Sequence, residues 1–125
     1  VVIAKDYDTA RQMVLLPAKL YLLSRQRIIE RLGYPVPSKE FDMTFDLVFN
    51  LEVGERFLKK AEEIPDEVVD KSPVVFGSPD DVIGKIEKYV KAGVRHFVSP
   101  FFVPPKMMKE ECSVYSEKVI SYFKH

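Results

Sequence analysis

The clearest pattern of apolar and polar positions runs from Gly77 to Phe102 and begins with a strongly marked helix. Ser78 stands where a helix N-cap is expected, with Pro79 as the first helical residue and Asp81 placed to complete a capping box. Apolar residues then recur at the spacing of one helical face, namely Val82, Ile83, Ile86, Tyr89 and Val90. The pattern therefore predicts an amphipathic helix that packs one side on a core.

A buried strand is predicted directly after this helix. Gly93, between Ala92 and Val94, is typical of a helix C-terminus. The next residues, His96 to Ser99, are largely apolar and have no clear polar face. Such a strand is expected in a parallel sheet that helices cover on both sides.

The beginning of the chain predicts a second strand and then a long helical region. Val1 to Ala4 is short and apolar, as in a buried strand. A helical pattern extends from Thr9 to Leu32 and ends at Gly33. Pro17 lies inside it, and a proline there removes a backbone donor, so we expect a kink or a break near Leu16.

The middle and the end of the chain are mostly helical in pattern. Phe41 to Val53 is ambiguous, because apolar residues fill the odd positions of a strand and several also share one helical face. Val74 to Phe76 could be a very short strand or an extended connection. Helices are predicted at Glu55 to Glu63, after Pro65, and from about Lys106 to Tyr122, where Cys112 lies on the apolar side.

Together these elements predict an α/β protein, rich in helix, with two short parallel strands. At 125 residues, the length favours a single domain over residues 1–125. Two strands cannot bury the apolar helix surface on both faces of a sheet. We therefore expect either further chain before Val1 or association between copies.

The composition narrows the classes of partner. Nineteen basic and nineteen acidic residues cancel, which disfavours nucleic acid and anionic membranes. No apolar run reaches the length of a membrane span, and the single cysteine, Cys112, is expected to be a buried, reduced thiol. A cytoplasmic protein is predicted, and the scarcity of asparagine and glutamine is typical of a thermophile.

The stretch from Gly77 to Phe102 resembles the C-terminal signature of the luciferase-like family of flavin- and deazaflavin-dependent oxidoreductases. It is most similar to the methylenetetrahydromethanopterin reductases, in which a Gly-Ser/Thr-Pro cap leads through a helix to Ala-Gly-Val, an apolar strand and Ser-Pro. The matching residues here are Gly77-Ser78-Pro79, Ala92-Gly93-Val94, His96-Phe97-Val98 and Ser99-Pro100. The opening Val1 to Asp6 and the helix from Thr9 also resemble that family's seventh strand and the helix after it.

This resemblance implies the C-terminal part of a TIM (β/α)8 barrel, which would be incomplete without six further strands. It implies hydride transfer through coenzyme F420 or FMN, a small-molecule substrate, and inactivity of this portion alone. Because active sites in such barrels lie on loops after the strands, two loops qualify: Lys5-Asp6-Tyr7 after the first strand and Ser99 to Phe102 after the second. In the second loop, Ser99, Pro100 and Phe101 are the candidate cofactor-binding residues. The chain would associate with the missing barrel portion or form a homo-oligomer.

The sequence gives only weak indications of a phosphate site, a metal site or a catalytic motif. The helix start at Ser78 to Asp80 could attract a phosphate, but its own acidic residues would repel one. His96 and His125 are far apart in sequence and have no Cys/His cluster beside them, so no metal site is predicted. No nucleophile or dinucleotide motif occurs, and the catalytic residues stay unidentified.

A second functional interpretation remains open from the sequence. The chain could be a free-standing domain without catalytic activity, whose exposed apolar surface binds a copy of itself or another protein.

Overall fold

The computed structural model describes residues 1–41 and 51–124 and contains short strands and many helices. The strands are β1 (Val2–Ile3) and β2 (Phe76–Gly77). The α-helices are α1 (Tyr7–Leu23), α2 (Gln26–Arg31), α3 (Leu51–Glu62), α4 (Asp66–Lys71), α5 (Pro79–Lys91), α6 (Met108–Val114) and α7 (Ser121–Phe123). Turns of 3-10 helix occupy Lys39–Phe41 and Pro105–Met107, and Tyr115–Ile120 is π-helical.

β1 and β2 pair in parallel, with Val2 opposite Phe76 and Ile3 opposite Gly77. Val2 N donates to the Val75 carbonyl and Ala4 N to the Gly77 carbonyl, both at 3.0 Å. The predicted class, helix-rich α/β with two short parallel strands, is therefore confirmed. The first strand is the predicted one, and the second is the very short strand that was one of two interpretations of Val74 to Phe76.

The predicted buried strand at His96 to Ser99 is wrong. These residues form no strand, and the Val98 side chain is 84% exposed. The chain reaches the free edge of β1 only afterwards, where Val1 N donates to the Pro100 carbonyl at 2.6 Å and Phe102 N donates to the Val1 carbonyl at 3.1 Å. An apolar run that finds no continuous partner edge cannot satisfy its backbone groups as a strand, so it stays in solvent.

Helix α5 follows the predicted pattern closely. Ser78 and Asp81 form a reciprocal capping box, with Pro79 in the first turn. Gly77 has φ 140°, and a Cβ there would lie 2.4 Å from the Cβ of Asp81, so glycine is needed beside the cap. At the other end Gly93 has φ 100° and Val94 N donates to the Tyr89 carbonyl, as in a Schellman end.

The predicted long helix is divided, but not at Pro17. Pro17 lies inside α1, and the break comes at Ser24 and Arg25, where Ser24 Oγ donates to the Tyr21 carbonyl at 2.7 Å. The short α2 then ends at Arg31, and Gly33, with φ 85°, follows its C-cap, as the sequence predicts. At its start, α1 is capped by Asp6, whose carboxylate accepts from Thr9 N at 2.7 Å.

The chain forms two compact units: Val1–Val14 with Val75–His125, and Leu15–Val74. In the first, the buried cluster contains Val1, Ile3, Val82, Ile86 and Val119. In the second, Phe41 packs edge-to-face on Phe57 with ring centroids 5.0 Å apart. Its surface includes an ion pair of 2.5 Å between Lys19 and Asp66.

Two further predictions concern the later helices and the ambiguous segment. α3 and α4 confirm the helices expected near Glu55 and after Pro65. Residues 42–50, which make up most of the ambiguous stretch, lie outside the described residues. Across the two described ranges, no helix has both the length and the apolar character needed to cross a bilayer.

The C-terminal helical region is present as predicted, but its buried side is rotated. Cys112 is exposed, which overturns the predicted buried thiol, and the neighbouring Glu111 is buried instead. Successive residues in a helix point about 100° apart. A rotation of about 100° around the helix axis is therefore enough to exchange them.

Candidate functional site

An apolar groove of about 680 Å³ lies in the first unit. It lies between the second half of α5, the segment from Val94 to Phe101, and the C-terminal helical region. Its apolar lining includes Ile86, Val90, Phe97, Phe101, Val119 and Phe123. Ligand sites are commonly of this size and character, with a small number of polar groups that fix the ligand's orientation.

The polar groups of the groove are few and defined. Ser99 Oγ and Tyr115 OH are 2.9 Å apart and share a hydrogen bond. Arg95 lines the wall and donates from Nη1 to the Val90 carbonyl at 3.0 Å. Lys124 also lines the groove, so two cationic side chains stand beside an otherwise apolar space.

The structure brings two of the three predicted cofactor-binding residues into this groove. Ser99 and Phe101 line it, and the Phe101 ring packs edge-to-face on Tyr115 with centroids 5.3 Å apart. Pro100 instead offers its carbonyl to Val1 at the edge of β1. None of the three follows a strand, because His96 to Ser99 is not one.

Aromatic contacts continue along the groove. Tyr89 lies beside Phe97, with ring centroids 6.5 Å apart, and burial raises the pKa of the Tyr89 hydroxyl. Phe97 and Phe123 remain 37% and 39% exposed. The groove is therefore open to solvent on a side that carries aromatic rings.

The other sequence candidates are not assembled into a site. Asp81 accepts from both Ser78 N and Ser78 Oγ, at 2.8 and 2.7 Å, so the start of α5 already has its own carboxylate. His96 is exposed, and His125 lies outside the described residues. In residues 1–41 and 51–124, no three His, Cys, Asp or Glu side chains gather as metal ligands would.

A second cavity, of about 360 Å³, lies at the carboxyl end of β1. In parallel sheets this is the edge at which ligands commonly bind. Lys5, Met13 and Met107 contribute to its wall, together with Glu110 and Glu111. The loop Lys5-Asp6-Tyr7 was one of the two predicted site loops, and Lys5 lines this cavity.

Glu111 is the unusual residue of this second cavity. It is only 4% exposed, and its Oε1 accepts from Ile3 N at 2.5 Å. Burial raises the pKa of the Glu111 carboxyl, although the hydrogen bond from Ile3 and the nearby Val1 amino group act in the opposite direction. A sequence signal for this burial existed, since Glu111 lies three residues after Met108 and four before Tyr115 on one helical face.

Comparisons with known proteins give no relative from which a function could be transferred. No protein-family model matches the chain. No curated protein and no solved structure matches it either.

Proposed function

We propose that this chain is the C-terminal portion of a TIM-barrel oxidoreductase of the luciferase-like type that uses coenzyme F420 or FMN, and that the apolar groove forms part of its coenzyme site. The observation that carries the proposal is the meeting of Ser99 and Phe101 in that groove. These are two of the residues to which the family resemblance assigns the coenzyme. The pterin substrate of the reductase branch is the corresponding proposal for the substrate class.

The composition of the groove fits such a coenzyme. Flavins and deazaflavins combine a flat aromatic ring system with an anionic phosphate-bearing tail. Phe97, Phe101 and Tyr115 offer ring surfaces for the first, and Arg95 and Lys124 offer positive charge for the second. The volume of about 680 Å³ lies within the usual range for small-molecule sites.

The coenzyme, when bound, supplies the hydride chemistry, and the protein supplies binding and orientation. Apolar side chains such as Val90 and Phe101 would exclude water from one side of the coenzyme. The hydroxyl pair of Ser99 and Tyr115 could donate or accept a hydrogen bond at the ring edge. The proton donor of the reaction would come from the remainder of the barrel.

The first test is the extent of the encoded protein. An upstream reading frame continuous with Val1 that encodes six further βα units would support the oxidoreductase. The full-length protein would then be titrated with F420 and with FMN, followed by absorbance. Failure of both to bind the intact protein would overturn the proposal.

Substitutions in that protein sharpen the test. Phe101→Leu keeps apolar volume but removes the ring, and we expect coenzyme affinity to fall by roughly two- to tenfold, the range for aromatic contacts. Ser99→Ala should weaken binding less. Val98→Ala is the matched control, because Val98 is adjacent and does not line the groove; unchanged affinity in Phe101→Leu and Ser99→Ala together would remove these residues from the site.

A second function is favoured by the exposure of the same groove. Val94, Phe97, Ile120 and Phe123 are each 37–39% exposed, and all four line the groove. We therefore propose, as the alternative, a non-catalytic domain in which this face binds a second copy of the chain. Light scattering across a concentration series tests it: a dimer that Phe123→Glu converts to a folded monomer supports the alternative, and a monomer at all concentrations excludes it.

A further inference from the structure

The cavity at the carboxyl end of β1 is separate from the groove, and its chemistry is different. Its volume, about 360 Å³, is far larger than the roughly 30 Å³ that one water molecule occupies. The wall is mostly apolar, with Met13, Met107 and Val114 among the lining side chains. The space therefore suits a compact apolar body better than a single bridging water.

Glu111 gives this cavity a defined polar anchor. The side chain is buried, and its Oε1 is held by the amide of Ile3. Within the described part of the chain, Oε2 takes part in no hydrogen bond or ion pair. A buried carboxylate with one oxygen still available gains most from a charged donor, because burial has removed the water that would otherwise solvate it.

The sign of the remaining charges selects the ligand. Glu110 also lines the cavity, and Lys5 contributes the one positive side chain among the described lining residues. An anionic ligand would face two carboxylates. A metal ion is disfavoured, because no three His, Cys, Asp or Glu side chains among the described residues are clustered as metal ligands.

We propose that this cavity binds a compact organic cation, a protonated amine carried on a small apolar body, with the Glu111 carboxylate as its counter-ion. The amine donates to Oε2 while Ile3 N continues to hold Oε1, and the apolar body contacts Met13 and Met107. This inference is independent of the proposed coenzyme site, which shares no lining residue with the cavity.

The pH dependence of binding follows from the titratable groups around Glu111. Burial raises the pKa of Glu111, and Glu110 raises it further, whereas the Ile3 amide and the Val1 amino group lower it. Lys5, at the strand end, adds a positive charge. Because the amine pairs with the ionised carboxyl, its affinity should increase as pH rises through the pKa of Glu111 and then level off.

The experiment is a calorimetric titration of the folded chain with benzylamine, with benzyl alcohol as the uncharged probe of similar shape. We expect the amine to bind and the alcohol to bind at least about tenfold more weakly, as expected for a charge-assisted hydrogen bond. Glu111→Gln should weaken benzylamine binding by a similar factor. Glu117→Gln is the matched control, since Glu117 is an exposed carboxylate of the same C-terminal helical region that lines neither cavity, and should change affinity by about twofold or less.

Other outcomes overturn the inference. These are equal affinity for amine and alcohol, unchanged affinity in Glu111→Gln, or no amine binding by the folded chain at millimolar concentration. If Glu111→Gln does not fold, the pH series on the unsubstituted chain decides, and affinity that does not rise with pH counts against the proposal. Lys5 is a cation in the cavity wall that competes with the amine for Glu111. Stronger amine binding in Lys5→Met therefore supports Glu111 as the counter-ion of both.

Discussion

Residues 77–93 and 94–102 adjoin in sequence and carry equally clear apolar patterns, yet only the first adopts the structure that its pattern predicts. The first forms α5 with its capping box and its glycine end. The second contains the predicted buried strand, His96 to Ser99, but its residues His96, Phe97 and Val98 are exposed. The two segments therefore differ in where their hydrogen bonds can be made.

A helix satisfies its backbone within itself, and a strand depends on a neighbour. The terminal amides and carbonyls of α5 that have no partner within the helix are hydrogen-bonded at its two ends, by Ser78 and Asp81 at the start and by Gly93 at the end. For the second segment, the available partner is the free edge of β1. At that edge, only the backbone of Val1 pairs with the segment, through Pro100 and Phe102. The amide of Ile3 donates to the Glu111 side chain instead.

The largest effect on stability is expected from Gly77→Ala, at the start of the segment 77–93. A Cβ at this position would lie 2.4 Å from the Cβ of Asp81, and φ is 140°. Clash and backbone strain together should lower the free energy of unfolding by about 2–4 kcal/mol. Urea unfolding followed by circular dichroism measures this loss.

Gly84→Ala is the control for that substitution. Gly84 lies inside α5, and nothing comes within 4 Å of a Cβ built there. Alanine should stabilise the helix by up to about 1 kcal/mol. We therefore expect the free energy of unfolding to fall in Gly77→Ala and to rise in Gly84→Ala. Equal changes in the two variants would contradict the close approach at Gly77.

The second prediction concerns the acceptor that replaces a strand at the edge of β1. Glu111→Gln retains a side-chain oxygen for Ile3 N, whereas Glu111→Leu leaves that buried amide without an acceptor. Because both variants are uncharged, the difference between them isolates the hydrogen bond. We expect the Leu variant to be less stable than the Gln variant by about 1–3 kcal/mol in urea unfolding.

The charge of Glu111 should appear in the pH dependence of stability. Burial raises the pKa of this carboxyl above its ordinary value of 4.5, so the folded chain holds the proton more tightly than the unfolded chain. Its contribution to the free energy of unfolding is therefore greatest in acid. That contribution falls as pH rises from about 4.5 through the folded pKa. Unfolding measured from pH 4 to 8 should show this slope in the unsubstituted chain and a smaller one in Glu111→Gln; identical slopes would rule out the shift.

The elements that the sequence predicts well are those with local causes. The cap at Ser78, the helix ends at Gly33 and Gly93, and the class of fold follow from residues a few positions apart. A kink or a break in the first long helix was expected near Leu16, but α1 continues through Pro17 to Leu23 and the break comes after it. Local signals therefore located the ends of helices better than their interruptions.

The candidate site was predicted only in part, because its remaining features depend on distant contacts. Ser99 and Phe101 were singled out and do line the groove, but Tyr115 joins them from the C-terminal helical region. Burial of Glu111 instead of Cys112 depends on the rotation of that region against β1. Apolar spacing along a helix does not fix that rotation to one residue.

Loss of the cap alone should have a smaller effect than strain at Gly77. Ser78→Ala removes the oxygen that accepts from Asp81 N, at 3.2 Å, but leaves Asp81 to accept from the backbone amide of residue 78. We expect a loss of about 1 kcal/mol. Ser78→Thr keeps the hydroxyl and is the control, and both variants are measured by thermal unfolding. A Thr variant that is destabilised as much as the Ala variant would argue against capping.

The smallest effect is expected at Val98, and it separates the two segments most directly. Because the side chain is 84% exposed, Val98→Ala should change the free energy of unfolding by less than about 0.5 kcal/mol. Val82→Ala, the same change at a fully buried site in α5, should cost about 2 kcal/mol. Equal losses at the two positions, measured by urea unfolding, would mean that residues 96–99 are buried as the apolar pattern predicted.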